Sequence, residues 1–200
     1  MRARLCLAVT VATSALLATP VRLAAAHEED LDDYVEDPRF VVAPIARYTV
    51  RSTTSAPDAG AARTIVHAPL AKVRAVGTDY EKGQFIHGID RTKIVARRGS
   101  VSDLYIRAPV LNGAVHLWAI LRLAHTVHAD HEMIRGDMIR GNLESMTVVG
   151  RLVPLSPDST LIEFEVMADP GLPLPSSFIT EELQYAAEVL VSEVRYRSEH

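Results

Sequence analysis

The densest group of chemically capable side chains is the octapeptide HTVHADHE at residues 125–132, with three histidines and two acidic residues. Imidazole and carboxylate groups are common zinc ligands. Residues three positions apart point to opposite faces of a strand, so His125, His128 and His131 converge only in a turn or helix. We therefore expect the polar edge of a hairpin here, with a metal site at the three histidines as the alternative.

The sequence lacks the motifs of several enzyme classes: the Gly-x-Ser-x-Gly elbow, the phosphate-binding glycine loop and the His-Glu-x-x-His pair. Its single cysteine, Cys6, can form neither an intramolecular disulfide nor a cysteine metal site. No cofactor is therefore expected. Proton transfer needs one placed acid or base, and the candidates for it are Asp103, Tyr105, Arg107 and His116, with Tyr105 and His116 as catalytic pair.

Trp118 is the only tryptophan and lies in the segment VHLWAILR at residues 115–122. Apolar residues on both faces are typical of a central strand that is covered on both sides. The indole is either a core residue or a platform for a ligand. Met138, Met146 and Met167 leave the same two interpretations open, because thioethers fill irregular gaps and also adapt to apolar ligands.

Composition places the chain among globular proteins of about one domain. It has 200 residues, of which 48% are hydrophobic and 23% charged, with a formal net charge of −4. Such a balance has no global basic field, so a nucleic-acid partner is not expected.

The first 26 residues have the pattern of a signal peptide. Arg2 and Arg4 precede an apolar run, and three alanines end at Ala26 in the small-x-small pattern of a cleavage site. We expect cleavage there and a periplasmic or secreted protein, with an uncleaved anchor as the alternative. The segment holds three arginines and no acids, so its loss changes the formal charge from −4 to −7. Residues 27–45 begin with seven acids and no lysine or arginine up to Asp37, which predicts a solvated, flexible leader.

From residue 46 onward the pattern predicts one domain of strands and two helical stretches. A first strand or hairpin covers residues 47–51 and 64–67, and Pro69 begins a short helix that Gly77 ends. Short connections between the following segments predict an antiparallel meander. Its strands are expected at residues 92–96, 103–108, 115–123, 132–139, 145–154 and 160–168.

A long C-terminal helix is predicted to cover one face of this sheet. Apolar residues recur at spacings of three and four from Ile179 to Val194, and Ser176 or Ser177 is the expected N-cap. Ala186 and Ala187 put small side chains at its midpoint, which indicates either close helix–sheet contact or a cavity.

Four segments, in this order, resemble the START-like (SRPBCC) superfamily, in its branch of polyketide cyclases, lipid-transport and coenzyme Q-binding proteins. They are HAPLAKV at 67–73, TDYEK at 78–82, FIHGI at 85–89 and ADPGLPLP at 168–175. The sequence departs from the pattern at His87, where proline is usual. The resemblance implies an α+β helix-grip fold, with about six to seven curved antiparallel strands around the C-terminal helix. One or two short helices after the first strand and an apolar cavity are also implied.

Three classes of function follow from this fold. The first is a carrier that binds a hydrophobic small molecule or lipid and makes transient contact with a membrane. The second is a cyclase or dehydratase acting on an aromatic or poly-β-keto substrate, and the third a partner-binding module with a solid core. For a carrier we expect polar contacts from two residues and an apolar wall from eight: Tyr105 and Arg107; Trp118, Ile120, Ile162, Phe164, Val166, Leu183, Ala187 and Leu190.

Overall fold

A computed structural model describes residues 44–53, 56–80, 89–110 and 113–200. Three predictions lie outside these residues: the signal peptide at 1–26, the acidic leader up to residue 43, and the FIHGI segment except Ile89.

In the described residues, eight strands form one antiparallel sheet in the order β1-β2-β8-β7-β6-β5-β4-β3. The strands are β1 Ala46–Val50, β2 Ala59–Val66, β3 Arg91–Arg98, β4 Val101–Val110, β5 Val115–Val127, β6 Glu132–Gly141, β7 Ser145–Ser156 and β8 Ser159–Asp169. The helices are α1 Leu70–Gly77 and α2 Ser176–Glu199. The predicted antiparallel meander and long C-terminal helix are confirmed.

The sheet has eight strands instead of six or seven, because the N-terminal hairpin contributes two. The sequence predicts the second strand of this hairpin only from residue 64, and the Ala and Gly residues at 59–62 have low strand propensity. In the structure they form the start of β2, which pairs with β1 on one side and β8 on the other. Pairing on both edges overrides the local preference.

Strand β8 alternates strictly between the two faces of the sheet, as its sequence predicts. Ile162, Phe164 and Val166 are buried. Glu163 lies on the other face, where it accepts hydrogen bonds from the Tyr48 hydroxyl and, at 2.8 Å, from Arg151 Nη1. One face of β8 therefore builds the core, and the other carries polar contacts.

Helix α2 packs mainly on β2 and β8. Its buried positions are Leu183, Ala187, Val191, Val194 and Ser198. The predicted serine cap is wrong: Pro175 is the N-cap residue, and no side chain caps the helix. The proline ring holds φ at −58°, which starts the helix without a hydroxyl acceptor.

Helix α1 begins after Pro69 and packs on α2, β7 and β8. Its Arg74 binds the buried Glu132 of β6, donating from Nε at 2.6 Å and from Nη2. His125 Nε2 of β5 lies 2.9 Å from Glu132 Oε2. This ion pair joins the helix to the middle of the sheet. Neither helix is long and apolar enough to span a membrane.

A cavity between the sheet and the long helix as candidate functional site

A cavity of about 1030 Å³ lies between the concave face of the sheet and α2. Ligand pockets usually occupy roughly 300–1,000 Å³, so this one has room for a lipid-sized or polycyclic molecule. It is the main candidate site in the described residues.

The cavity exists because α2 does not follow the whole sheet. The helix packs closely on β2 and β8, where the main core cluster includes Ile162, Phe164 and Ala187. A second, smaller cluster of Leu104, Ala119, Leu121 and Leu123 lies on β4 and β5. The cavity is bounded by residues of both clusters, so the sheet curves away from the helix and leaves the space between them.

The walls are predominantly apolar. From the sheet come residues of β4, β5, β6, β7 and β8: Leu104, Ile106, Ala108, Leu117, Trp118, Ala119, Leu121, Leu123, Ile134, Met146, Val148, Phe164, Val166 and Ala168. The helix contributes Phe178, Ile179, Leu183, Ala186, Leu190 and Val194. The loop before the helix adds Leu172 and Leu174.

Polar groups enter the cavity where the end of α1 meets the end of α2. Arg197 Nη2 donates to Asp79 Oδ2 at 3.2 Å, and Arg197 Nε lies 4.0 Å from Glu193 Oε1. These three side chains line the cavity together with Tyr80. Burial raises the pKa of Tyr80 to about 12, so its hydroxyl stays protonated at neutral pH. A protonated phenol can donate a hydrogen bond to a ligand carbonyl or hydroxyl.

Four of the ten predicted ligand-binding residues line the cavity with their side chains: Phe164, Val166, Leu183 and Leu190. Trp118 borders the cavity as well, but it pairs with Arg107 and its ring stacks on Tyr105, on the other face of the sheet. Ile162 and Ala187 are fully buried in the main core. At the helix midpoint it is Ala186 that lines the cavity, whereas Ala187 is packed in the core. At these positions the wall of the cavity differs from the predicted one, because Ala186 lines it and Ile162 and Ala187 do not.

Tyr105, Arg107 and Ile120 lie on the opposite face of the sheet. Leu104 and Ile106 line the cavity, so the residues between and after them point away from it. Ile120 pairs with Tyr105 across β4 and β5 and shares its face. The two expected polar contacts are thus outside the cavity. The polar side chains that line it include those of Asp79, Tyr80, Thr92, Glu182, Glu193 and Arg197.

The outer face carries its own network of side chains. Arg107 donates to Asp90 from Nε at 2.9 Å and from Nη2 at 2.9 Å, and this pairing lowers the pKa of the Asp90 carboxyl. His116 Nε2 lies 3.9 Å from the same carboxylate. The Tyr105 ring stacks on Trp118 with 6.1 Å between centroids. Of the candidate catalytic pair, His116 is exposed and Tyr105 is half-buried, and the sheet separates both from the cavity.

Asp103, the remaining proton-transfer candidate, lies in the same strand as Tyr105 and binds Arg122 of β5. It accepts hydrogen bonds from Arg122 Nε at 2.8 Å and Nη2 at 3.0 Å. This pairing lowers the pKa of the Asp103 carboxyl. Asp103 is thus an ionised partner of an arginine, which does not suit it to donate a proton at neutral pH.

The histidine-rich octapeptide forms the turn between β5 and β6. His128 N donates to His131 O at 2.8 Å, and the two rings stack with centroids 4.5 Å apart. His125 points instead to Glu132. Among the described residues, no three or more metal-capable side chains come together. The segment has the geometry of the polar hairpin that its spacing favours.

Sequence reasoning missed Tyr80, Asp79 and Arg197. Asp79 and Arg197 are 118 positions apart, so no local spacing pattern joins them. Tyr80 lies within the quoted TDYEK segment, yet an aromatic residue after a helix end carries no signal of a cavity. These residues become visible only when α1 and α2 meet.

No protein-family model matches the chain, and no curated protein matches it in sequence. Several solved structures are similar to it in fold. A START superfamily protein from Mycobacterium smegmatis superposes with a TM-score of 0.60 at 19% identity, covering 70% of this chain and 97% of that one. A STAR-related lipid transfer protein from Xanthomonas axonopodis gives a TM-score of 0.67 at 13% identity, covering 78% and 94%.

A third similar structure is the di-domain ARO/CYC protein StfQ from the steffimycin biosynthetic pathway. Its TM-score is 0.52 at 9% identity, and the match covers 70% of this chain and 50% of that one. At these identities the likeness concerns the fold. The curved antiparallel sheet, the long C-terminal helix and the cavity between them give this chain the helix-grip fold of the START-like superfamily.

Proposed function

We propose that this protein is an exported carrier that holds a hydrophobic small molecule or lipid in the cavity between the sheet and α2. The observation that carries the proposal is the size and lining of the cavity: about 1030 Å³ with predominantly apolar walls. The lipid transfer protein among the similar structures and the signal peptide predicted at residues 1–26 support it.

Affinity would come from burial of the ligand's apolar surface, at about 25 cal/mol per Å² removed from water. A few polar groups suffice to orient the polar end of such a ligand. Tyr80 and Arg197 are in position for this, because both line the cavity near the end of α2.

A carrier suits the site better than the cyclase alternative. The catalytic candidates Tyr105 and His116 lie on the opposite face of the sheet, where a substrate in the cavity does not reach them. A partner-binding module, the third class, needs a solid core, and the space beside α2 argues against it.

The loop before α2 is the proposed place of contact with a membrane during loading. Leu172 and Leu174 line the cavity, and Phe178 at the start of α2 is 42% exposed. Apolar side chains at the boundary between a cavity and solvent can dip into the interface of a bilayer. Flotation with neutral vesicles should recover the protein, and the Phe178→Ser variant should be recovered less.

The direct test is native mass spectrometry with organic extraction, on protein purified gently after export. We expect a stoichiometric apolar adduct, and a protein mass that corresponds to cleavage after Ala26. A clean apo mass that does not change when quinones, fatty alcohols and aromatic polyketides are offered would refute the carrier.

A substitution that fills the cavity gives a second test. Ala186 lines the cavity, so Ala186→Phe should reduce uptake of Nile red at least tenfold while the fold is kept. Ala71 is exposed on α1 and makes a matched control. Ala71→Phe should leave uptake unchanged, and equal uptake by both variants would place the ligand elsewhere.

A further inference from the structure

The ionisable side chains that line the cavity are predominantly acidic. Among the described residues they are three carboxylates, those of Asp79, Glu182 and Glu193, and the guanidinium of Arg197. Tyr80 is neutral at physiological pH. The formal charge of this lining is therefore −2.

The acids occupy both halves of the helix. Glu182 lies in the N-terminal half of α2 and Glu193 in the C-terminal half, which at 1.5 Å per residue separates them by about 16 Å along the axis. A ligand that lies along the helix meets the half-buried Glu193 near one end and the exposed Glu182 near the other. Reversing its orientation does not avoid this.

The single positive charge of Arg197 offsets one of the three carboxylates, and its guanidinium is already held by the lining acids. Its Nη2 is 3.2 Å from Asp79 Oδ2, and its Nε is 4.0 Å from Glu193 Oε1. The side chains of Arg197, Asp79 and Glu193 are only 20%, 30% and 26% exposed, so water screens them less than it screens surface charges.

We infer that the cavity discriminates against anionic amphiphiles and takes hydrophobic ligands whose polar group is uncharged or cationic. The inference rests on the proposed carrier function and narrows its ligand class. A fatty-acid carboxylate or a lipid phosphate would add a like charge beside the lining acids. A hydroxyl, a carbonyl or an amine adds no negative charge. The Tyr80 hydroxyl can donate a hydrogen bond to a ligand hydroxyl or carbonyl.

The test uses three ligands of one chain length: myristyl alcohol, myristic acid and myristylamine. Each displaces Nile red from the whole protein at neutral pH and low salt, below its critical micelle concentration. We expect the alcohol to bind about tenfold more tightly than the acid, and the amine at least as tightly as the alcohol. Added salt should reduce the difference in binding affinity between myristic acid and myristyl alcohol.

Two double variants on the same helix connect the effect to the lining acids. Glu182→Gln with Glu193→Gln removes two charges from the cavity and should raise the affinity for myristic acid several-fold. Glu181→Gln with Glu188→Gln removes two charges from α2 at positions that do not line the cavity. This control pair should leave the preference for the alcohol unchanged.

Three results would overturn the inference, and they are distinguishable. If myristic acid binds as tightly as the alcohol, the charge discrimination is wrong while the carrier stands. If the amine binds as weakly as the acid, desolvation of any charge explains the preference. If Nile red and all three ligands fail to bind, the proposed carrier itself is refuted, and the ligand preference with it.

Discussion

The backbone of α2 lies directly on Gly60 of β2. A Cβ atom at position 60 would be 2.0 Å from the backbone nitrogen of Gln184 and 2.1 Å from the carbonyl carbon of Leu183. Ala61 and Ala62 beside it are fully buried. A strand of very small residues is what lets the helix approach one side of the sheet this closely, while the other side curves away around the cavity.

Gly60→Ala should therefore destabilise the protein by roughly 3 kcal/mol, since backbone atoms of the helix would have to move. Gly77 is a matched control, because a Cβ there would meet only the Ile134 side chain at an ordinary 3.5 Å. Urea unfolding of the two variants measures the difference. Equal stabilities would mean that the helix is not held against β2 in this way.

The ion pair of Glu132 and Arg74 should make stability depend on pH. The Arg74 hydrogen bonds, and then that of His125, hold the pKa of Glu132 below its ordinary value of 4.5. A lowered carboxyl pKa contributes stability that is fully present above 4.5 and is lost as the pH falls through the folded-state value. The stability advantage of the native protein over Glu132→Gln should therefore shrink below pH 4.5 in urea unfolding.

Removal of the Arg74 guanidinium should lower the free energy of unfolding at neutral pH. Glu132 is 2% exposed, so Arg74→Ala leaves a buried carboxylate with less compensation, at a cost of roughly 3 kcal/mol. Arg135→Ala breaks a pair with Asp137 in which both side chains are about half exposed. That control should cost less than about 1 kcal/mol. Similar losses in the two variants would contradict the structural role given to Glu132.

Tyr80 should orient ligands that carry a hydrogen-bond acceptor. Tyr80→Phe removes one neutral hydrogen bond, about 1 kcal/mol, and should weaken binding of myristyl alcohol about fivefold. Binding of a plain hydrocarbon of the same length should not change. An equal loss for both ligands would show that the hydroxyl does not face the cavity.

The residues on the outer face separate a carrier from an enzyme. Tyr105→Phe and His116→Ala should leave ligand uptake unchanged, because both side chains lie outside the cavity. Turnover of a bound polyketide that is lost in either variant while binding is retained would support the cyclase alternative. The measurement is product formation by mass spectrometry beside the Nile red assay.

Much of the architecture can be predicted from the sequence by itself. The alternation of Ile162, Phe164 and Val166 determines which face of β8 is buried, and the three-to-four spacing in residues 179–194 determines a helix with one apolar side. Connections too short for a crossover determine an antiparallel meander. Each of these features depends on residues that are close together in the sequence, so the sequence alone is enough to predict it.

The site was decided by the tertiary structure. The hydrophobic periodicity of the sequence predicts which side chains are shielded from water. It does not distinguish a side chain that packs on other protein atoms from one that lines a cavity. Ala186 and Ala187 are both apolar, yet a rotation of about 100° around α2 places one beside the cavity and the other in the core. The Asp79–Arg197 pair and the approach of Gln184 to Gly60 likewise join residues more than a hundred positions apart, and only the packing of α2 brings them together.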